Sequence, residues 1–331
     1  MLQAPSSTTS PTTSCAAAAD EAPIYVPIRP WRSRMVPVRT LEYHVREWGA
    51  VDGDPALAPL VLAHGWMDVA ASYQFVVDAF GDAFMAGRRI IAADWRGFGL
   101  SRPAGPCDRH DFADYLGDLD HLLDTLVGDT PVDLVGHSMG GNVAMMYAGA
   151  RPQRIRRLVN LEGFGMPATR PAQAPRRYAQ WMDELRQLRS GELALKSYAG
   201  VQEVAQRLMK TNRRLPQDKA LWLAHHWAAP NAEGRWEILG DTAHKLVSAQ
   251  LFRVDEMLAL YAAITAPVLA VEASDDSLGM WWKERYTLAE YHERIRQIPD
   301  CRTAVVQDAG HMLHHDQPAA VAGLIEGFLT V

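Results

Sequence analysis

A serine between two glycines is the residue of this sequence best suited to chemistry. Residues 136–140 read Gly-His-Ser-Met-Gly and stand between an apolar segment, Val132–Val135, and an apolar run that begins near Met139. At such a strand-to-helix corner the glycines remove Cβ atoms that would collide, and the serine hydroxyl is presented at the edge of a sheet. The pattern predicts that Ser138 is a nucleophile and that the Met139 amide, at a helix N-terminus, points at an oxyanion.

A serine hydroxyl needs a base to take its proton and a third group to orient that base. His311 is the predicted base, because it follows the last predicted strand and precedes the last helix. Asp276 is the predicted orienting acid, since it follows the apolar run Pro267–Val271 at the edge where an open α/β sheet places its ligands. The adjacent Asp275 is an alternative, because neighbouring residues point in different directions.

The loop after the third predicted strand supplies a second candidate donor to an oxyanion. Residues 64–66 read His-Gly-Trp, so Gly65 allows a close approach and the Trp66 amide is the natural partner of the Met139 amide. Large aromatic side chains bury much apolar area at low entropic cost, which suits a substrate pocket. The side chains predicted to contact the substrate are Trp66, His137, Trp181, Trp227 and Trp281.

Other polar residues near these motifs are expected to be structural. Asp94, Arg96 and Ser101 are predicted to brace the loops around the site through a buried Arg–Asp arrangement. His314 and His315 are expected to be solvated, since they lie next to Asp316, which is predicted to cap the last helix.

The adjacent residues His225 and His226 diverge on a helix and have no carboxylate at ligand spacing. Neither a metal site nor a cofactor is therefore predicted.

Composition excludes several classes of partner. The chain has 331 residues, 48% of them hydrophobic, and its net charge of −6 is spread without long runs of one sign, so no nucleic-acid or anionic-membrane partner is expected. The three cysteines, Cys15, Cys107 and Cys301, lie outside any C-x-x-C pattern, which favours a reducing compartment and a cytoplasmic location. No apolar run reaches the length of a membrane span. Oligomeric state is left open.

Strand-like and helical segments alternate along most of the chain, which predicts a mainly parallel sheet with helices on both faces. Residues 1–30 are predicted to be a disordered tail, beginning with a stretch rich in Ser, Thr, Pro and Ala. Residues 31–166 and 259–331 carry the α/β pattern. Residues 167–258 lose the strand signals and are predicted to form an inserted, all-helical, tryptophan-rich cap.

Together these motifs resemble the α/β-hydrolase superfamily, and specifically its capped serine hydrolases. The segment His64-Gly-Trp-Met-Asp68 is similar to that of serine hydrolase-like proteins and bacterial esterases. The resemblance implies eight strands with the second antiparallel, a helical lid after the sixth strand, and hydrolysis of carboxylic esters or related acyl bonds. It also adds Glu162 as a third candidate for the acid, because some relatives keep their acid after the sixth strand.

The expected function is that of a carboxylesterase acting on a small or medium apolar ester through an acyl-serine. A thioesterase, an amidase or lactonase, and a C–C bond hydrolase would use the same three residues. A ligand-binding receptor derived from a hydrolase is the alternative from another class.

Overall fold

The computed structural model describes residues 23–103, 105 and 107–330. The strands in this part of the chain are β1 (Trp31–Val38), β2 (Leu41–Gly49), β3 (Leu60–Ala63), β4 (Arg89–Ala93), β5 (Val132–His137), β6 (Ile155–Leu161), β7 (Ser197–Tyr198), β8 (Ala228–Pro230), β9 (Trp236–Ile238), β10 (Val268–Ala273) and β11 (Cys301–Val306). The α-helices are α1 (Gln74–Ala79), α2 (Asp82–Met85), α3 (Phe112–Val127), α4 (Met139–Ala150), α5 (Ala174–Ser190), α6 (Val201–Thr211), α7 (Gln217–Trp227), α8 (Val254–Ala262), α9 (Ser277–Trp282), α10 (Leu288–Ile295), α11 (Leu313–Asp316) and α12 (Pro318–Leu329).

Eight of these strands form one sheet in the order β1-β2-β4-β3-β5-β6-β10-β11. Strand β2 runs antiparallel to both of its neighbours, β1 and β4, and the remaining pairs are parallel. The central strands β3 and β5 are buried throughout, as expected when helices cover both faces of a parallel sheet. The predicted α/β-hydrolase fold with a mainly parallel eight-stranded sheet is therefore confirmed.

Two apolar cores lie on opposite faces of this sheet. One joins the sheet to α3, α4, α8 and α10, and the other joins it to α1, α2 and α12. Within the described residues, no helix combines the length and the apolar character needed to cross a membrane.

The sequence pattern predicts one helix from Trp282 to Ile298, but the α-helix within this segment spans only Leu288–Ile295. Helix α9 ends at Trp282, a 3₁₀ turn follows at Lys283–Arg285, and α10 begins at Leu288. Lys283 has a φ of 51°, a left-handed conformation that a right-handed helix cannot contain.

The segment inserted after β6 contains α5, α6 and α7, but it is not all helical. The short strands β7, β9 and β8 form an antiparallel sheet within it. Strands of two or three residues are too short to show an alternating pattern, which is why the sequence did not reveal them. Leu221 and Trp222 of α7 pack with Val69 and Phe75 of the main domain in one apolar cluster. The division of the chain at residues 167 and 258 stays a prediction.

The predicted tail is partly ordered. Residues 1–22 lie outside the described residues, whereas residues 23–30 pack against the main domain. The carboxylate of Asp78 accepts hydrogen bonds from the Tyr25 hydroxyl at 2.5 Å and from the Arg29 amide at 2.6 Å. The Tyr25 ring contacts Phe75 edge-on. The expectation of disorder is thus wrong for residues 23–30, because the partly buried Tyr25 ring and the Asp78 carboxylate hold them.

Candidate active site

The corner between β5 and α4 presents Ser138 in a strained conformation. Its φ of 53° and ψ of −115° are unfavourable for a residue with a side chain. Glycines allow the surrounding backbone to close around it. A Cβ at Gly136 would lie 2.4 Å from the carbonyl oxygen of Gly140, and a Cβ at Gly140 would lie 2.2 Å from that of Ala63. The corner therefore tolerates only glycine on both sides of the serine.

The base predicted from the sequence lies beside this serine. The Nε2 atom of His311 is 2.9 Å from the Ser138 hydroxyl oxygen. His311 belongs to the loop between β11 and α11, at the same sheet edge as the end of β5. This hydrogen bond is the geometry by which an imidazole takes a proton from a hydroxyl.

Glu162, directly after β6, occupies the position of the orienting acid. Its Oε2 atom lies 3.2 Å from Nδ1 of His311, and its Oε1 atom accepts the amide of Ala273 at 2.7 Å. The side chain is 1% exposed. A carboxylate on Nδ1 keeps a proton there, so Nε2 is left with the lone pair that faces Ser138.

The choice of Asp276 as this acid is corrected by the structure. Its carboxylate is exposed and caps α9 by accepting the Gly279 amide at 2.7 Å. Asp275 is half-buried and forms an ion pair with Arg214 at 2.7 Å. The sheet order explains the difference, because β6 is adjacent to β5 whereas β10 is one strand further away. Strand β10 instead helps to hold Glu162: the Ala273 amide donates to its carboxylate at 2.7 Å, and the Val271 carbonyl accepts its backbone amide at 3.0 Å.

Of the two candidate oxyanion donors, Met139 follows the nucleophile in the chain, and Trp66 belongs to a loop that lies against it. Met139 is the first residue of α4, so its amide has no acceptor within that helix. A Cβ at Gly65 would lie 3.2 Å from the Cβ of Ser138, so the loop that carries Trp66 runs directly against the serine. The participation of both amides in an oxyanion hole stays a prediction.

The aromatic residues predicted to contact substrate have different surroundings. Trp281 is half exposed, and its ring meets the His311 ring edge-on at 4.2 Å between centroids. Trp66 is also half exposed, beside Gly65. Trp181 is partly buried on α5 of the insert. Trp66 and Trp281 are thus the two that combine exposure with closeness to Ser138 or His311.

The structure assigns Trp227 and His137 to other contacts. Trp227 is buried, and its Nε1–H donates to the Met67 carbonyl at 2.7 Å, which ties the insert to the loop after β3. His137 is buried beneath the site, where its Nε2 lies 2.7 Å from the carbonyl oxygen of His311. Both side chains are thus buried with structural contacts, and their contact with substrate stays a prediction.

A buried polar cluster, which we call the Asp68 cluster, lies behind His311 and was not predicted. It consists of Asp68, Ser72, His137, His314 and His315. The Ser72 hydroxyl donates to Asp68 at 2.7 Å. It also lies within hydrogen-bond distance of Nε2 of His314 and Nε2 of His315. The expectation that His314 and His315 are solvated is wrong, because helix α11 turns both rings inward.

The structure shifts the pKa values of the acidic and basic groups in the Asp68 cluster. Burial opposes ionisation of Asp68, but hydrogen bonding and the charges of the neighbouring histidines hold its pKa at about 2. Burial lowers the pKa of His137 and of His315 well below the ordinary histidine value.

Helix α12 is not capped by Asp316 as predicted, since that carboxylate instead accepts the Gly310 amide at 2.8 Å and so shapes the His311 loop.

The predicted Arg–Asp brace is present with a different partner. Arg96 pairs with Asp118 of α3 at 2.5 Å, whereas Asp94 contacts Nδ1 of His44 at 2.8 Å. The Ser101 hydroxyl accepts the His44 amide at 2.8 Å. These contacts hold the loop after β4 against the sheet and place none of the three residues at the nucleophile.

The fold and the Ser138–His311–Glu162 arrangement define a class of α/β proteins with a serine at the nucleophile elbow. Residues 58–318 match the profile of the alpha/beta hydrolase fold, and the chain therefore belongs to the α/β-hydrolase family.

Similar proteins span most of the chain. A serine hydrolase-like protein of Danio rerio is 25% identical over 299 residues, which cover 89% of this chain and 87% of that protein. An AB hydrolase superfamily protein of Bacillus subtilis is 26% identical over 310 residues, covering 90% and 98%. Among solved structures, the thioesterase domain from the curacin biosynthetic pathway superposes with a TM-score of 0.74 at 22% identity, covering 89% of this chain and 99% of that domain. At 22% identity, the similarity to this thioesterase domain shows a shared fold and no more.

Proposed function

We propose that the protein is a serine hydrolase that cleaves carboxylic esters through an acyl-serine intermediate. The observation that carries the proposal is the continuous chain of hydrogen bonds from Ser138 through His311 to Glu162, at 2.9 and 3.2 Å. A serine, an imidazole and a buried carboxylate in this order generate a nucleophile at neutral pH without a cofactor.

The reaction follows from the positions of these atoms. His311 Nε2 takes the hydroxyl proton as the Ser138 oxygen attacks the ester carbonyl, and Glu162 stabilises the imidazolium that forms. The Met139 and Trp66 amides are proposed to donate to the oxyanion of the tetrahedral intermediate. His311 then returns the proton to the departing alkoxide, and water activated by the same imidazole releases the acid.

The surroundings of the nucleophile support an apolar substrate of small or medium size. The half-exposed Trp281 ring meets His311 edge-on, and the half-exposed Trp66 follows Gly65 in the loop that runs against Ser138. Aromatic rings in this position favour acyl or aryl groups over charged ones. Esterases also occur among solved structures with this fold, including a Mycobacterium tuberculosis esterase.

Replacement of Ser138 by alanine tests the proposal. We expect kcat for nitrophenyl esters to fall by roughly 10³-fold or more, because the nucleophile is removed while the fold is kept. A fluorophosphonate should label the wild-type protein and not this variant. Ser190→Ala, at the exposed end of α5, serves as the control and should retain both activity and labelling.

Substrate class is tested by an ester chain-length series run beside thioester and lactone substrates. Esters should have the highest kcat/KM. A preference for thioesters or lactones would retain Ser138 as nucleophile and replace the ester assignment, whereas unchanged turnover by Ser138→Ala would refute the mechanism itself.

A further inference from the structure

The Asp68 cluster brings three metal-ligating side chains together from three separate parts of the chain. Asp68 lies on the loop after β3, His137 ends β5, and His314 lies on α11. One ligand atom from each residue lies within 4.8 Å of the others, and all three residues are buried. An ion at the centre of such a triangle would be at most about 2.8 Å from each atom, so shifts below about 1 Å would produce the 2.0–2.2 Å distances of a zinc site.

The hydrogen bonding of His137 leaves one ring nitrogen without a partner. Its Nε2 faces the His311 carbonyl oxygen at 2.7 Å and must carry the proton of that hydrogen bond, since a carbonyl can only accept. In the neutral ring the lone pair is then on Nδ1, for which no hydrogen-bond partner is found in the described part of the chain. A ligating histidine typically donates its other N–H to a backbone carbonyl or a carboxylate, which is the arrangement seen here.

His314 also has a ring nitrogen without a partner among the described residues, and Asp68 has one ion-pair partner there. The Nδ1 atom of His314 is also buried without a partner among the described residues. The only ion-pair partner found for Asp68 in that part of the chain is His314, at 3.7 Å. A carboxylate buried this deeply is costly unless a positive charge lies close to it. Among the described residues, the cluster therefore leaves Nδ1 of His137 and Nδ1 of His314 without a partner, and Asp68 is stabilised there by the Ser72 hydroxyl and by His314.

We propose that Asp68, His137 and His314 bind a divalent transition-metal ion, with Zn²⁺ the best match to two imidazoles and one carboxylate. A cation at this position uses the free lone pair of His137 and compensates the charge of Asp68. It also holds the His137 ring whose Nε2–H contacts the His311 carbonyl, so the metal is a positioning element behind the site. The proposal does not depend on the substrate or on the reactivity of Ser138.

The test measures metal content in the full-length, tag-free protein produced in medium supplemented with Zn²⁺ or Co²⁺. After dialysis, mass spectrometry should find about one metal ion per chain, and Asp68→Asn should lower this at least about tenfold. Cys107→Ser is the matched control, because Cys107, His110 and Asp241 form a second group with ligand atoms within 4.8 Å of one another. That variant should keep its metal.

The Co²⁺ spectrum of the wild-type protein gives an answer even if Asp68→Asn fails to fold. We expect ligand-field bands of a site with nitrogen and oxygen ligands and no thiolate-to-metal charge-transfer band. A charge-transfer band would place the ion at Cys107 and overturn the proposal. Metal content far below one per chain in the wild-type protein, or an undiminished content in Asp68→Asn, would overturn it as well.

Discussion

At the scale of single residues, the two oxygens of Glu162 have separate tasks. Oε2 accepts a hydrogen bond from Nδ1 of His311, and Oε1 accepts one from the Ala273 amide of the neighbouring strand. The second contact restrains the carboxylate while the first is made. A carboxylate that is both buried and held on a strand end orients an imidazole more firmly than one on an exposed turn, such as Asp276.

This arrangement predicts that Glu162→Gln is a severe variant. The amide can present an N–H to His311 and so favour the wrong tautomer, and kcat should fall by roughly 10³- to 10⁴-fold. Asp276→Asn is the control and should leave kcat near the wild-type value, with at most a small loss of stability from the weakened cap of α9. Steady-state kinetics of the two variants decide the matter, and the reverse order of severity would return the role to Asp276.

Gly65 is predicted to be irreplaceable for a steric reason. A Cβ there would lie 2.9 Å from Nδ1 of His137 and 3.2 Å from the Cβ of Ser138, so Gly65→Ala must displace the loop or the nucleophile. A displacement near 1 Å at reacting atoms costs about 10²-fold in rate, which is the loss expected in kcat/KM. Gly323→Ala on α12, where a Cβ meets no atom within 4 Å, should leave kcat/KM unchanged. Equal activity in the two variants would contradict the proposed closeness of loop and serine.

At the scale of secondary-structure elements, tryptophans on two helices serve different purposes. Trp227 at the end of α7 joins the insert to the loop after β3, whereas Trp281 on α9 faces His311 with half of its surface exposed. The first is placed to contribute stability and the second to contribute selectivity.

Substitution of these two residues should therefore give different results. Trp281→Ala should change the order of kcat/KM across an ester chain-length series, because it alters the space beside the base. Trp227→Phe should lower the melting temperature and leave that order intact, since it removes one buried hydrogen bond, about 1 kcal/mol. Kinetics and thermal unfolding of both variants provide the measurement. An unchanged order in Trp281→Ala would move the specificity element elsewhere.

At the scale of the whole molecule, buried histidines make stability depend on pH. Burial, together with the charge of a neighbouring group, lowers the pKa of His226 and of His244 to about 3. In the unfolded chain histidine binds a proton near pH 6.5. As pH falls below 6.5 the unfolded state therefore gains protons that the folded state does not, and stability is lost progressively down to about pH 3.

Each such histidine should contribute up to about 1.4 kcal/mol of lost stability per pH unit in this window. Urea unfolding at pH 7, 6, 5 and 4 measures how the free energy of unfolding changes with pH. His244→Gln should reduce this slope by up to the contribution of one proton, about 1.4 kcal/mol per pH unit. His121→Gln, on the exposed face of α3, should keep the wild-type slope. A slope of zero in the wild-type protein over this range would show that these rings are not held neutral in the folded state.

The sequence alone was sufficient for features that depend on neighbours along the chain. The elbow around Ser138, the strands β4 and β6, and the alternation of strands and helices are local patterns, and the structure confirms the fold that they predict. His311 could be chosen for the same reason, because a histidine between the last strand and the last helix must lie at the edge where the parallel strands end.

Only the tertiary structure decided among the three carboxylates. Glu162 and Asp276 both follow strands that end at the same edge, so local pattern treats them alike. Their distances from Ser138 depend on the strand order β5-β6-β10, which joins residues more than a hundred positions apart. The burial of His314 and the docking of Tyr25 on Asp78 are long-range in the same sense. The sequence shows only that such side chains are polar. They can leave the solvent because folding brings hydrogen-bond partners to them.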